Sequence, residues 1–340
     1  MADPSPEELV EAVRNSFPDT SREGRPVHAI GISATGYFEA SEVARNFCVA
    51  EHFGGPKVDV TVRFSNGSGS VEQHDGWSDV RGMATRFHLA NAAATDLIAM
   101  TLGEFFVADL KSFMDMLAEG KLVEAERESP WSKIFDLLSL RQPLPDPRPG
   151  ERVSGQAGLL RFAQAHGCAQ LGILDAGAIG APTSYARATY HAVHTFVVTA
   201  PGGEKRHVRF SWQPVAGVRK VDPDLPPRDK YLHGELRDRV NPKNPPTRFM
   251  LMMAIGEHRD AFDDPTRPWP LKRQRVSMGT LFLTETPKDQ SETCERMSFN
   301  PCRLTPGIDV SDDPILRARK EVYKVSSRLR GATACPFARE

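Results

Sequence analysis

The alternation of apolar and polar positions divides the chain into two blocks of strands separated by a helical stretch. VDVTVRF is the clearest run. Val58, Val60, Val62 and Phe64 fall on one face and Asp59, Thr61 and Arg63 on the other, a period of two that predicts a strand. RPVHAIGISATGYFEAS ahead of it alternates weakly and is broken by Gly31 and Gly36, while VRGMATRFHLA and TDLIAMTL after it read as two short strands. From about Phe105 the pattern turns helical over Asp109–Leu117, Trp131–Leu140 and Gly155–His166, with the Pro-rich QPLPDPRPGE as a loop. Strand character returns near residue 184. ATYHAVHTFVVTA, a Pro-Gly-Gly turn and KRHVRFSWQPV predict a hairpin. A short helix follows in DKYLHGELRDRV, then strands in TRFMLMMAIGE, VSMGTLFLTE and CERMSFNP.

Both ends read as helix. MADPSPEELVEAVRNSF is a short capped helix, and in SDDPILRARKEVYKVSSRLRG Asp313 takes the N-cap, Pro314 the first turn and Gly331 the position past the end. The expected organisation is an N-terminal helix within residues 1–20, then one domain over 21–340 with a helical insertion at about 109–180 and a final helix at about 314–330. The fold class is α+β, mainly β. About eight strands suggest an antiparallel barrel with flanking helices, of a size that holds side chains or one small ligand.

Charge narrows the partners. With 43 Lys+Arg against 44 Asp+Glu in 340 residues the chain is nearly neutral, which argues against a nucleic-acid or anionic-membrane surface. No apolar run approaches the ~18 residues of a membrane span. The acidic start lacks a secretory pattern, and five scattered cysteines with no C-x-x-C predict reduced thiols in a cytoplasmic protein without a zinc site.

Three places could carry chemistry. On the last helix Arg319, Tyr323 and Arg330 fall within roughly 40° of one another at 100° per residue. This is either a basic solvated stripe or a tyrosinate ligand for ferric haem. Ionising a free phenol near pH 7 costs about 4 kcal/mol, which a trivalent metal and a nearby arginine would offset. His28, opening a strand in Arg25-Pro26-Val27-His28, is either a satisfied structural histidine or a base for moving the protons of a peroxide. Arg63 is either exposed or turned into the barrel, where it would need an anionic partner. Arg25, Arg63 and Arg330 together could hold two carboxylates, such as the propionates of a porphyrin. Gly-rich phosphate loops, H-E-x-x-H and G-x-S-x-G elbows do not occur, and NGSGS at 66–70 reads as a loop.

Taken in order, these segments resemble the haem catalases. RPVHAIG…GYFE is similar to the segment bearing that family's distal histidine, which matches His28. VRFSNGSG…SDVRGMATRF resembles the next signature, matching Arg63, Ser65, Asp79, Arg81 and Gly82. DLIAMTLGEFFVADLKSF resembles the segment whose phenylalanines pack on the haem, here Phe105, Phe106 and Phe113, and HTF at 194–196 resembles the proximal-side histidine segment. DPTRPWP, FNP…TPGI and the final helix complete the series, with Arg319-x-x-x-Tyr323 matching the iron-binding motif.

The resemblance implies haem b inside a catalase-like eight-stranded barrel, with Tyr323 as metal ligand, Arg319 holding its phenol ionised, and His194 and Asp313 behind Arg319. It implies Arg25, Arg63 and Arg330 on the propionates and Ser65 orienting His28. It also implies departures. Thr101 stands where the family has a distal asparagine, Leu271 stands where NADPH-binding members have histidine, so NADPH is not expected, and the C-terminal helical region and long N-terminal arm of typical catalases are not expected either. The combination resembles the minimal catalase-related peroxidases. The expected activity is reduction of organic hydroperoxides, and of hydrogen peroxide less well, with an external electron donor, in a homodimer rather than an interwoven tetramer. The alternatives are a true catalase, a hydroperoxide isomerase of the allene oxide synthase type, and a non-enzymatic haem carrier or sensor.

Overall fold

In the computed structural model, residues 3–17, 24–120, 122–124, 129–139, 152–154, 159–222 and 227–332 are described. Eight strands form the frame: β1 Gly31–Ala40, β2 Val58–Asn66, β3 Arg81–His88, β4 Ala94–Met100, β5 Tyr190–Thr199, β6 Lys205–Pro214, β7 Thr247–Ile255 and β8 Arg275–Glu285. Each pairs antiparallel with its neighbours, and β8 returns to β1, with Phe38 opposite Leu281, so the sheet closes into the expected barrel. Only Met100 and His191 join β4 to β5. The two blocks read from the sequence are thus the two halves of one barrel, linked by the helical stretch.

The inner surface is apolar, built from Val60, Val62 and Phe64 of β2 with Phe38, Phe87, Trp212, Phe249, Leu281 and their neighbours. A void of about 20 Å³ lined by His52, Phe53, Thr95 and Asp96 has room for about one water. The interior is filled by side chains, as an eight-stranded barrel allows. This moves the expected cofactor position: a porphyrin cannot sit inside the barrel, and the matched residues gather outside its wall.

Among the described residues, seven helices longer than a single turn flank the frame: α1 Pro6–Asn15, α2 Leu110–Glu119, α3 Pro130–Leu138, α4 Leu159–Ala165, α5 Gln170–Ala178, α6 Tyr231–Arg239 and α7 Pro314–Leu329. In α1 a reciprocal bond pair between Ser5 and Glu8 caps the start, and Leu9, Val10 and Val13 are buried where the helix meets α7 and α2. At the end of α7, Gly331 takes φ +60° while Ala332 N donates to Ser327 O and Gly331 N to Arg328 O, the bond pair that closes a Schellman turn. The loop QPLPDPRPGE lies outside the described residues. CERMSFNP is not the strand its alternation suggested. Ser291–Glu295 forms one wide helical turn, in which Cys294 accepts from Arg63 through its thiol and from Arg25 through its carbonyl, and Arg25 also reaches the carbonyl of Met297 just beyond it.

Candidate active site

One wall is built on α7. Asp313 caps the helix: its Oδ1 accepts from Ile315 N at 2.9 Å and Leu316 N at 3.1 Å, while Oδ2 accepts from His194 Nδ1 at 2.6 Å. The imidazole is 2% exposed, and burial pushes its pKa down despite the Asp313 hydrogen bond, so the ring is neutral. With its proton on Nδ1, Nε2 is an acceptor for Arg319 Nη1 at 2.7 Å, and Arg319 Nη2 donates to Tyr323 Oη at 2.6 Å. Four residues thus form one directed chain from a buried carboxylate to a phenol oxygen. A guanidinium donating to that oxygen favours negative charge on it.

The strand supplying His194 is irregular. Register shifts between Ala192 and Phe196, and the bulge turns His194 out of the inner set formed by Ala192, Phe196 and Val198. Its outward ring meets Phe105, with centroids 5.7 Å apart, and Phe105 in turn meets Phe106 and stacks on Phe113.

The facing wall is built on β2. Because Val62 and Phe64 point inward, Arg63 and Ser65 point out of the barrel. Ser65 Oγ lies 3.0 Å from His28 Nδ1, and Asn66 O lies 2.9 Å from the same nitrogen. A carbonyl only accepts, so Nδ1 carries the proton and Nε2 is left bare. Burial, then the charges of Arg63, Arg319 and Arg25, push His28 down to about 4, with the Asn66 bond opposing. Both walls therefore act on this ring. Gly82, opposite Ser65 in the ladder, is required: a Cβ there would stand 2.7 Å from Ser65 Oγ and 2.9 Å from His28 Nδ1.

The third side is basic. Arg63 is 4% exposed, neither on the surface nor in the barrel, but buried against the barrel's outer face. It donates through Nε to Cys294 Sγ at 3.2 Å and through Nη2 to His28 O at 3.0 Å. Gly31 makes room for it, since a Cβ would stand 2.3 Å from its guanidinium carbon. Arg25 Nη2 donates to the carbonyls of Cys294 and Met297, and Arg330 Nη1 to that of Glu295. Burial and mutual repulsion hold Arg25 well below its usual pKa and Arg330 down to about 10. None of the three forms an ion pair with a described carboxylate, and the buried Nε of Arg25 and of Arg330 has no hydrogen-bond partner. Three gathered cations with unspent donors fit the carboxylates of a haem. A phenol backed by arginine fits its iron.

Thr101 is the residue least drawn in. Its Oγ1 accepts from Arg81 N at 2.9 Å and its N donates to Arg81 O, so the hydroxyl is tied to the end of β3 rather than to His28 or Ser65. Asn66 and Asp75 were not singled out from the sequence. Asn66 opens NGSGS, a string that reads as loop, but it is the last residue of β2, and the carbonyls of Gly67 and Ser68 receive the backbone N–H groups of His28 and Ala29.

A family model described as Catalase matches residues 9–143 and 162–335. A catalase-related peroxidase of Mycolicibacterium paratuberculosis (strain ATCC BAA-968 / K-10) is 31% identical, over 98% of this chain and 98% of that protein. A catalase-related peroxidase of Synechococcus elongatus is 27% identical over 96% of this chain and 89% of its own length. Catalase-2 of Bacillus subtilis is 27% identical over 90% of this chain, which spans 43% of that longer protein. A bacterial catalase structure superposes with a TM-score of 0.75 at 19% identity, covering 91% of this chain and 58% of its own. Catalase A from Saccharomyces cerevisiae gives 0.73 at 20%, covering 91% and 61%. The structural matches carry the fold alone. Among the described residues, no helix is long and apolar enough to cross a membrane. Matched along nearly its whole length by one model and end to end by a relative, this chain belongs to the catalase family.

Proposed function

We propose that the chain is a haem peroxidase that reduces organic hydroperoxides, and hydrogen peroxide less well, with electrons from an external donor. Haem b would be held by Tyr323 Oη on its iron, by Arg25, Arg63 and Arg330 on its propionates, and by Phe106 and Phe113 beside its ring. When bound it supplies the site that accepts the peroxide oxygen and stores the oxidising equivalents of O–O cleavage. The observation that carries the reading is His28: its Nδ1–H is pinned to a carbonyl, its Nε2 is bare, and the field of Arg319 reaches it from the phenol side.

His28 Nε2 takes the proton of the incoming hydroperoxide and returns it to the departing alkoxide oxygen. The overall change, ROOH plus two electrons and two protons giving ROH and water, draws its electrons from the donor. Ser65 keeps the ring in place, and Arg319, anchored by His194 and Asp313, donates to the Tyr323 oxygen that would bind the iron. Thr101 offers a single O–H donor where the resemblance expects an amide with two, and its oxygen is held at β3 by accepting from Arg81 N. A second hydrogen peroxide would therefore be poorly steered, which favours donor oxidation over the two-peroxide cycle.

The test is steady-state oxidation of a chromogenic donor with cumene hydroperoxide, run beside oxygen evolution from hydrogen peroxide. Donor oxidation that falls at least ~100-fold in His28→Ala, the low end of the range for a positioned acid–base group, supports the reading. Vigorous oxygen evolution without donor oxidation assigns a catalase instead.

A further inference from the structure

His28 has φ 56°, a left-handed conformation that a non-glycine residue keeps only where its surroundings enforce it. The end of β2 enforces it here. His28 N donates to Gly67 O and Ala29 N to Ser68 O, each at 3.1 Å, and the ring proton on Nδ1 goes to Asn66 O. Asn66 is itself fixed through its side chain. Its Nδ2 donates to Asp75 Oδ1 at 2.8 Å, and its Oδ1 accepts from Tyr185 Oη at 2.8 Å. A carboxylate cannot donate, so only one orientation of the amide satisfies both neighbours. Asp75 is anchored in turn by Leu232 N on Oδ2 and by Arg81 Nη2 on its carbonyl, and Tyr185 by Tyr190 Oη on its carbonyl. Asn66, Asp75 and Tyr185 are each at most 1% exposed, so bulk water does not compete for these bonds.

We propose that Asn66, clamped between Asp75 and Tyr185, is the positioning residue that selects the tautomer of His28. Its amide holds the peptide whose carbonyl keeps the proton on Nδ1 and leaves Nε2 free to accept. Ser65 cannot make that selection. Its hydroxyl can donate to Nδ1 or accept from it, so it holds the ring without deciding which nitrogen carries the proton. The inference rests on His28 acting as the base in the function proposed above.

The test uses haem-loaded Asn66→Ala and Tyr185→Phe. Its main readout is the association rate of hydrogen cyanide, a weak acid that binds ferric haem as the anion and must give its proton to a distal base. The rate is measured per haem across pH, beside the melting temperature and kcat/KM for cumene hydroperoxide. Asn66→Ala is expected to slow cyanide association and kcat/KM together by about 10–100-fold, the scale for partners that orient a functional imidazole. Tyr185→Phe is expected to slow both by a smaller factor, with haem retained. Wild-type cyanide rates per haem in both variants, whatever their melting temperatures, overturn the proposal. Should Asn66→Ala fail to fold, Tyr185→Phe, which removes one hydroxyl, decides alone, and an unchanged rate again overturns it. His28→Ala separates the two readings. If it keeps wild-type rates, His28 is not the base and both fall; if it is slow while the other two variants are not, only the role of Asn66 falls.

Discussion

Asp313→Asn separates the two tasks of one carboxylate. In the native protein Oδ1 caps α7 while Oδ2 takes the Nδ1 proton of His194 at 2.6 Å, with both residues at most 2% exposed. Asparagine caps a helix about as well as aspartate, so its oxygen stays on the amides of Ile315 and Leu316 and its NH2 group turns to His194. The imidazole must then accept at Nδ1 and carry its proton on Nε2, against the Nη1–H of Arg319 at 2.7 Å. Two donors face each other and one must leave. Hydrogen bonds to charged groups contribute ~1.5–3 kcal/mol, which at about 2–4 °C per kcal/mol for large domains lowers Tm by roughly 3–12 °C. Displacing Arg319 also removes the donor on Tyr323 Oη, so the visible bands of the haem-loaded protein shift. Asp313→Ala adds loss of the cap, about 1 kcal/mol more. The measurements are thermal melts by circular dichroism and an absorption spectrum at neutral pH. An Asp313→Asn protein with the native melt and the native spectrum would refute the directed chain.

Further consequences concern protons and space. Burial and the surrounding arginines push His28 down to about 4, so a base that works when neutral stays competent as pH falls through 6.5. The acid limb of kcat/KM is expected near 4, and a limb near 6.5 would place the ring in a solvated position. Gly82→Ala brings a methyl within 2.9 Å of the His28 ring; kcat/KM should drop about 100-fold, as for a reacting group misplaced by ~1 Å, while Tyr323-side spectra remain, and unchanged turnover would show that the ring does not lie over this glycine. His52, inside the barrel with an unpartnered Nδ1, is pushed down to about 3 by burial. Because the folded pKa lies below the unfolded one, its contribution is complete above about 6.5 and is lost as pH falls toward 3. His52→Phe, with the adjacent 20 Å³ void to take the larger ring, should lower the pH of acid unfolding; an unchanged midpoint would mean His52 is not what protonates.

How much of this was legible follows from what each feature depends on. The strands of the barrel were readable because period-two alternation is a local property, and Val60, Val62 and Phe64 display it in seven residues. The cap of α7 was readable because Asp313, Pro314 and Gly331 act on their own helix. CERMSFNP misled because its alternation serves a chain lying on the barrel wall, whose carbonyls and thiol satisfy arginines from elsewhere. The outward turn of His194 depends on a bulge that exists only once β5 pairs with β6. Its even spacing from Ala192 and Phe196 alone would place it in the core. Arg63 offered two readings, exposed or inward, and took a third because a barrel has an outer face that helices and loops can bury. Asn66 was hidden for a related reason. The atom that serves His28 is its backbone oxygen, which every residue has, and its side chain matters only through Asp75 and Tyr185, 9 and 119 positions away. Motifs reveal the groups that touch a ligand; the groups that decide which nitrogen holds a proton are set by tertiary contacts and carry no signature of their own.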